Sequence, residues 1–122
     1  MNNVIFEFYK GRTYTRDFKI VGYTDPVDEV FFTVCDNPNN KNYCLRKALT
    51  KGITVVDEGT TEDDEPYKTY NLLIEATDTD HLKTNVEYGF DIALISGTKK
   101  LQVITGTLIL NDVYTKTCNE SK

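Results

Sequence analysis

Apolar and polar side chains alternate along the segment 82–110, and this pattern organises the rest of the chain. Between positions 86 and 94, an apolar residue stands at every second position, with polar or small residues between. A period of two is typical of a β-strand with one buried face. Small and polar residues at 96–100 predict a turn, and the apolar run at 101–110 predicts the returning strand of a hairpin.

The start of this hairpin carries a pattern seen at strand corners. Leu82 lies six residues before Tyr88, and the positions between them are mostly polar. In Greek-key sandwiches, a tyrosine early in such a strand can hydrogen-bond back to the incoming loop, an arrangement called a tyrosine corner. An ordinary core aromatic would give the same pattern. Both interpretations of Tyr88 therefore stay open at this point.

The second strand of the hairpin changes parity along its length. Leu101 and Val103 share one parity, whereas Leu108 and Leu110 share the other. A straight strand would turn one of these pairs outward. We therefore predict a β-bulge near Gly106 that brings all four side chains to the core, because glycine permits such a bulge.

Strand patterns recur through the rest of the chain. The segment 28–35 is the most apolar of them, so we place it centrally, with Val30, Phe32 and Val34 on one face. The segment 43–50 fits a strand better than a helical turn, and Thr and Asp residues in 77–82 predict a short 3₁₀ or α turn. The remaining predicted strands are 4–9 (an edge strand), 13–21, 53–57 and 67–76.

These elements predict an all-β fold. About seven to eight short strands, spaced about ten residues apart, favour an antiparallel immunoglobulin-like β-sandwich, with a closed barrel as the alternative. A chain of 122 residues has room for one domain. We expect the domain to occupy residues 1–114 and a polar C-terminal tail to occupy residues 115–122.

Charge and hydropathy narrow the classes of partner. The net charge of −5 argues against binding to nucleic acid or to anionic membranes, which need clustered lysine and arginine. No apolar run approaches the roughly 20 residues that span a bilayer. The N-terminal residues lack the basic and apolar regions of a signal peptide, so we expect synthesis in a cytosol.

The cysteines and the single histidine predict neither a metal site nor a cofactor. Cys35, Cys44 and Cys118 form no CxxC pair, and their odd number does not suit a disulfide scaffold. A zinc site would need His81 as a fourth ligand, far from the thiols in sequence. We expect free thiols, with a chance disulfide between Cys35 and Cys44 as the alternative.

Two acidic clusters invite a functional interpretation. The segment 58–65 is rich in carboxylates but lacks the spacing of a calcium loop, so we predict a solvated hairpin tip, with Ca²⁺ binding left open. Asp78 and Asp80 lie beside His81, where we expect capping rather than catalysis.

The sequence has no glycine-rich phosphate loop, nucleophile elbow or triad, so we predict a protein that is not an enzyme.

Several short motifs occur in a fixed order from residue 5 to residue 110. They are Phe8-Tyr9-Lys10-Gly11-Arg12-Thr13, Asp25-Pro26-Val27-Asp28, Phe32-Thr33-Val34, Lys51-Gly52-Ile53, Asp78-Thr79 before Leu82, the alternating Tyr88, Phe90, Ile92 and Leu94, and Thr105-Gly106-Thr107-Leu108. In this order the chain resembles the N-terminal domain family of phage baseplate upper proteins and similar small phage structural proteins. One departure is that Thr84-Asn85 stands where that family has Pro-Gly or Gly.

The resemblance implies a non-enzymatic phage or prophage virion component, a baseplate or tail assembly or attachment module. Its partners would be other virion proteins or further copies of itself, in the virion or in the bacterial host cytoplasm during assembly. Tyrosine is enriched at protein contacts, so the candidate interface residues are Tyr9, Tyr14, Tyr23 and Tyr43.

A second function class is a small carbohydrate- or cell-surface-binding module. Flat, exposed aromatic side chains form such sites, and tryptophan is common among them. This chain has eight tyrosines and no tryptophan, which favours the structural interpretation over the carbohydrate one.

Overall fold

The computed structural model describes residues 3–35 and 44–112. These residues form eight strands and a short 3₁₀ helix, and they contain no α-helix, so the all-β prediction is confirmed. The predicted tail at 115–122 lies outside the described residues. The elements are β1 (Asn3–Tyr9), β2 (Tyr14–Val21), β3 (Glu29–Cys35), β4 (Leu45–Leu49), β5 (Gly52–Thr60), β6 (Pro66–Ile74), the 3₁₀ helix (Ala76–Thr79), β7 (Glu87–Ser96) and β8 (Lys99–Asn111).

All eight strands belong to one mixed sheet that curls into a nearly closed barrel, in the order β1-β8-β7-β3-β4-β5-β6-β2. β1 pairs with β8 in parallel, as β5 does with β4, and the other neighbours are antiparallel. The predicted antiparallel immunoglobulin-like sandwich is therefore not confirmed. The alternation of side chains could not distinguish the two folds, because a barrel wall and a sandwich sheet both have one buried face.

Side chains close the barrel at the seam between β1 and β2, the two strands at the ends of the sheet order. β1 and β2 stand at opposite ends of the strand order, although only a short turn separates them in the chain. The Tyr14 ring lies 4.3 Å from the Phe8 ring and 5.6 Å from the Phe6 ring, measured between centroids. The Arg16 guanidinium lies 5.2 Å from the Phe6 centroid. Aromatic packing therefore bridges this seam and shields the core.

The core is built from every second residue of the strands, those whose side chains face inward. β3 lies in the middle of the sheet, as predicted, and Val30, Phe32 and Val34 are fully buried. The Phe32 ring packs against two other buried rings, with its centroid 6.0 Å from that of Phe6 and 5.3 Å from that of Phe90, and these two rings stack on each other at 4.4 Å. The predicted inward face of β6 is also confirmed. Its buried residues are Tyr70, Leu72 and Ile74.

The chain steps sideways between β4 and β5, which run in the same direction. Thr50 has a φ of 68° and Gly52 a φ of 104°, so two residues close together adopt left-handed backbone conformations. β5 pairs with β4 only at Gly52 and Ile53 and then continues along β6 as far as Thr60. This step carries the chain from the β3 side of the barrel to the β6 side.

The β7–β8 hairpin is confirmed, but its bulge is not where we predicted it. Ile92 pairs with Ile104, whereas the next residue, Ala93, pairs with Gln102, so Val103 is the extra residue. Leu108 and Leu110 are buried, as predicted. Leu101 and Val103 remain 40% and 37% exposed, so the prediction that the bulge would bury all four side chains is wrong.

Gly106 serves a close approach instead of a bulge. It pairs directly with Phe90 on β7 and with Val4 on β1. A Cβ atom at this position would lie 2.0 Å from the Val4 carbonyl oxygen and 2.6 Å from the Phe90 ring. The missing side chain therefore lets β1 and the Phe90 ring pack against β8, which is a common reason for glycine inside a strand.

The hydrogen bond of a tyrosine corner is present at Tyr88. The backbone N–H of Lys83 donates to the Tyr88 hydroxyl at 2.8 Å, and Leu82 is buried beside the core. Asn85 has a φ of 61°, a left-handed conformation that asparagine tolerates better than most residues.

The Tyr88→Phe variant should lower the free energy of unfolding by about 1 kcal/mol, because it removes one hydrogen bond and keeps the ring. Urea denaturation of both proteins measures this difference. Tyr14→Phe is the matched control. Its hydroxyl accepts a long, exposed hydrogen bond of 3.4 Å from Arg16, so its loss should be close to zero. Equal stability of wild type and Tyr88→Phe would contradict the corner interpretation.

Candidate functional site

The structure does not bring the predicted interface tyrosines together. Tyr9 is exposed on β1, Tyr14 lies at the β1–β2 seam, and Tyr23 lines a cavity in the loop after β2. Tyr43 lies outside the described residues. Two other features of the barrel gather polar and exposed side chains: this cavity and the unpaired edge of β5.

The cavity lies at the end of the barrel where β2, β5 and β7 finish and β6 begins. Its volume is about 500 Å³, and it is open to solvent on one side. The loop 22–28 crosses this end of the barrel. Apolar residues of the lining include Ile20, Val27 and Leu94, and polar residues of the lining include Tyr23, Asp25, Glu58, Lys68 and Tyr70.

Hydrogen bonds at both ends hold the loop 22–28 in place. The N–H of Gly22 donates to the Pro66 carbonyl at 2.7 Å. The Ser96 hydroxyl donates to the Pro26 carbonyl at 2.6 Å, and the N–H of Gly97 donates to the Asp28 carboxylate at 2.6 Å. The cavity is therefore a formed feature of the fold.

Four of the polar residues that line the cavity are Tyr23, Glu58, Lys68 and Tyr70. The Tyr23 hydroxyl oxygen is buried and has no hydrogen-bond partner among the described residues. Glu58 and Lys68 pair across β5 and β6, in the same parity as the inward-facing Tyr70. Burial, with repulsion from the Glu58 carboxylate, raises the pKa of the Tyr70 phenol above its ordinary value. A tyrosine phenol is neutral at physiological pH even at its ordinary pKa of about 10, so the Tyr70 hydroxyl carries its proton.

A second tyrosine beside the cavity is tied to a carboxylate. The Tyr67 hydroxyl donates to Asp57 Oδ2 at 3.2 Å, and the charge of Asp57 raises the pKa of Tyr67. The Lys19 ammonium lies 4.3 Å from the centroid of the Tyr67 ring. Both the hydroxyl and the ring of Tyr67 are therefore in contact with charged side chains of the barrel wall.

The unpaired edge of β5 consists of residues 54–60. These residues pair with β6 on one side, whereas the pairing with β4 on the other side stops at Ile53. All seven residues of this edge are exposed. Val55 and Val56 are 41% and 53% exposed, and Val56 is the extra residue of a bulge. Backbone donors and acceptors on such an edge can pair with another strand.

Carboxylates surround this edge. The segment 57–65, which includes the tip of the β5–β6 hairpin, carries six of them. The predicted hairpin tip is confirmed, with the N–H of Thr61 donating to the Glu65 carbonyl at 2.8 Å. In the described part of the chain, no cluster of three or more His, Cys, Asp or Glu residues could hold a metal ion.

The residues around His81 make structural contacts. A ring nitrogen of His81 contacts the Cys44 carbonyl, and Asp78 accepts a hydrogen bond of 2.8 Å from the N–H of Glu75. Asp78 also forms an ion pair with Lys47 at 2.5 Å. The predicted 3₁₀ turn is confirmed here, with Asp78 in the capping box. Neither Cys35 nor Cys44 forms a disulfide, and Cys118 lies outside the described residues.

Sequence reasoning missed Glu58 and Lys68 as neighbours of Tyr23. One signal was available, because Lys68 shares the parity of Tyr70 and Leu72. A charged side chain in the inward parity of a strand marks either the end of the core or a polar cavity. The proximity of the loop 22–28 depends on the barrel topology and had no local signal.

Comparison with known proteins assigns no family. No protein-family model matches the chain, and no curated protein matches it. Among the residues that the structure describes, no helix has the length and apolar character needed to cross a membrane.

Proposed function

We propose that this chain is a non-enzymatic structural component of a phage or prophage virion. It acts in baseplate or tail assembly or attachment, through contacts with other virion proteins or further copies of itself. The virion class is supported by the resemblance of its ordered motifs to the phage baseplate upper protein N-terminal domain family. The contact role is supported by one observation, the unpaired and exposed edge of β5.

Strand addition is the binding mode that this edge suits. A partner strand would take up the free N–H and carbonyl groups of residues 54–60, and its side chains would cover neighbouring side chains of β5. Val55 and Val56 supply apolar area at the edge. In strand addition the main-chain hydrogen bonds give affinity, and side-chain contacts, such as those that these two valines offer, give specificity.

The charge of the edge favours a basic partner strand over self-pairing. If two copies paired antiparallel through β5, the carboxylates of Asp57 and Glu58 would approach those of the second copy. Like charges across a contact weaken binding, whereas a strand rich in lysine or arginine would complement them. We therefore place a different virion protein, with a basic strand, first among the partners.

The Val56→Lys variant should be incorporated into phage particles at least about fivefold less than wild type. Lysine at an edge strand opposes pairing with a second strand, and here it would also repel a basic partner. The host supplies either the wild-type chain or the variant during phage production. Quantitative mass spectrometry of the purified particles then measures how many copies of the chain are incorporated.

Val103→Lys is the control for this experiment. Val103 is exposed on β8, and lysine there should leave incorporation unchanged. Light scattering of the free chain at low and high salt separates self-association from binding to a different protein. Equal incorporation of both variants and wild type would exclude the β5 edge as the contact. Absence of the wild-type chain from the particles would exclude the virion role itself.

A further inference from the structure

The seam between β1 and β2 is a gap in the sheet. The turn 10–13 joins these two strands, and so short a connection usually gives a paired hairpin. In the described residues, however, β1 pairs only with β8, and β2 pairs only with β6. Both strands therefore present unpaired backbone N–H and carbonyl groups to the gap, and such groups can pair with a further strand.

Side chains bridge only the half of the seam that lies nearest to the turn. The Phe8 and Tyr14 rings stack there, and the Arg16 guanidinium lies over the Phe6 ring. Beyond Phe6 and Arg16, no ring contact, ion pair or side-chain hydrogen bond crosses the seam in the part of the chain that the structure describes. A further strand can therefore pair in the other half without disrupting the stacked rings.

Apolar side chains flank the half of the seam that has no bridge. Ile5 on β1 and Val21 on β2 are 53% and 47% exposed. On the inner side of the wall, Val4 and Ile20 are half-buried against the core. An extended segment in the gap would cover apolar area on both faces of the barrel wall, which favours binding.

Arg16 spans the seam and has no carboxylate partner among the described residues. Its guanidinium accepts no compensating charge from its two contacts, which are the Tyr14 hydroxyl at 3.4 Å and the Phe6 ring at 5.2 Å from the centroid. The residue is exposed, so a binding partner can reach it. The seam therefore offers an uncompensated positive charge on a chain whose net charge is −5.

The carboxylates of the same two strands are held away from the seam. The Asn111 side chain on β8 donates to Glu7 at 3.0 Å, and the Asn71 side chain on β6 donates to Asp17 at 2.8 Å. Each amide belongs to the strand on the other side of β1 or β2, so it draws its carboxylate away from the gap. A carboxylate that enters the gap would therefore meet Arg16, and a guanidinium can bind a carboxylate through two parallel hydrogen bonds.

We propose that the β1–β2 seam takes up an extended, apolar segment of a partner protein that carries a carboxylate facing Arg16. The segment completes the barrel as a ninth strand, by strand addition. It runs antiparallel to one of its two neighbours and parallel to the other, because β1 and β2 run in opposite directions. β2 and β6 separate the seam from the β5 edge, so this contact is additional to the one proposed above and does not depend on it.

The test is a titration of the isotopically labelled, full-length chain with synthetic heptapeptides whose ends are blocked, followed by two-dimensional NMR. The acidic probe alternates valine with glutamate, and the basic probe alternates valine with lysine. We expect the acidic probe to shift the resonances of β1 and β2 saturably, with a Kd of roughly 1 mM. The basic probe should leave these resonances unchanged, and any binding of it to the β5 edge is seen separately at residues 54–60.

A third probe tests whether the peptide pairs as a strand. It is the acidic heptapeptide with proline at its centre, which removes a backbone donor and opposes pairing on both sides. It should bind the seam at least about fivefold more weakly than the acidic probe. The backbone amides of β1 and β2 should also exchange with solvent more slowly when the acidic probe is bound.

Variants of Arg16 test the charge of the seam. Arg16→Gln should weaken binding of the acidic probe by about fivefold, whereas Arg16→Lys, which keeps the charge, should retain it within about twofold. Lys100→Gln is the matched control. It removes the same charge from an exposed position on β8, away from the seam, and should leave binding unchanged.

Four results would overturn the proposal. One is that the acidic probe shifts no resonance of the seam at several millimolar. Another is that the probe with proline binds equally well, which would exclude strand pairing. A third is that Lys100→Gln weakens binding as much as Arg16→Gln does, which would indicate general attraction by charge. The last is that the free chain forms dimers that Arg16→Gln abolishes, which would assign the seam to a second copy.

Discussion

Alanine at Gly106 is expected to lower the free energy of unfolding by about 3 kcal/mol, the upper part of the usual range for an overpacked core position. The new methyl group would lie 2.0 Å from the Val4 carbonyl oxygen and 2.6 Å from the Phe90 ring. The ring can shift only at the expense of the buried cluster around Phe32, and the carbonyl belongs to the backbone of a paired strand. Relief therefore requires β1 to move away from β8.

Gly89→Ala is the matched control for this variant. Gly89 lies in the neighbouring strand, β7, and a Cβ there would have 3.9 Å to its nearest atom, the Cys35 carbonyl oxygen. Alanine at that position should be neutral or stabilise by up to about 1 kcal/mol, because it restricts the unfolded chain. Urea denaturation with a constant m-value measures both effects. Equal stability of the two variants would show that Gly106 has no packing role.

The Phe32→Ala variant should cost about 4 kcal/mol, within the usual range for removal of a buried phenylalanine. Phe32 is fully buried in the central strand, and its ring packs against those of Phe6 and Phe90, which also stack on each other. Removal leaves a cavity that three strands border. Relaxation can fill it only in part, because each bordering strand is held by its own ladder.

The adjacent residue provides the control for Phe32. Phe31 points to the outer face of β3, where the Arg46 guanidinium lies 4.8 Å from its ring centroid. Phe31→Ala should cost about 1 kcal/mol, because a cation–π contact on the outer face contributes little and the ring is only partly buried. Similar losses for the two variants would indicate that the inward and outward faces of β3 are assigned wrongly.

The alternation of side chains predicted most of the strands and their buried faces. The predicted burial of Val30, Phe32 and Val34 was correct, because a period of two assigns side chains to a face without any knowledge of the neighbouring strand. The β7–β8 hairpin was predicted correctly because its pairing is local. The overall arrangement of the strands was not predicted, because the choice between a sandwich and a barrel depends on which distant strands pair. The parity of side chains carries no information about these partners.

Gly106 shows a second limit of the sequence pattern. Glycine inside a strand indicates either a bulge or a close approach. The change in parity favoured the bulge, yet the bulge is at Val103 and Gly106 serves the approach of β1. Only the parallel pairing of β1 with β8, between strands at opposite ends of the sequence, distinguishes the two roles.

The candidate sites were less predictable than the fold. Tyr23 was named from its residue type alone, and its neighbours Glu58 and Lys68 come from a hairpin about 40 residues later. The β5 edge is unpaired because the chain steps sideways at Thr50, a residue whose β-branched side chain disfavours a left-handed backbone. A local pattern therefore indicated neither site.

The pairing of β1 with β8 also bears on how the chain matures at the ribosome. Each residue of β1 pairs with one that is 102 positions later, as Asn3 does with Thr105. Such distant pairing is slow because a long loop must close first. Because β1 emerges before β8, it must wait, at a synthesis rate of about 5–20 residues per second, until the intervening residues and β8 have been synthesised. Until then, the side chains of Phe6 and Phe8 cannot pack beside β8. In this interval the nascent chain is most exposed to misassociation or to capture by a chaperone.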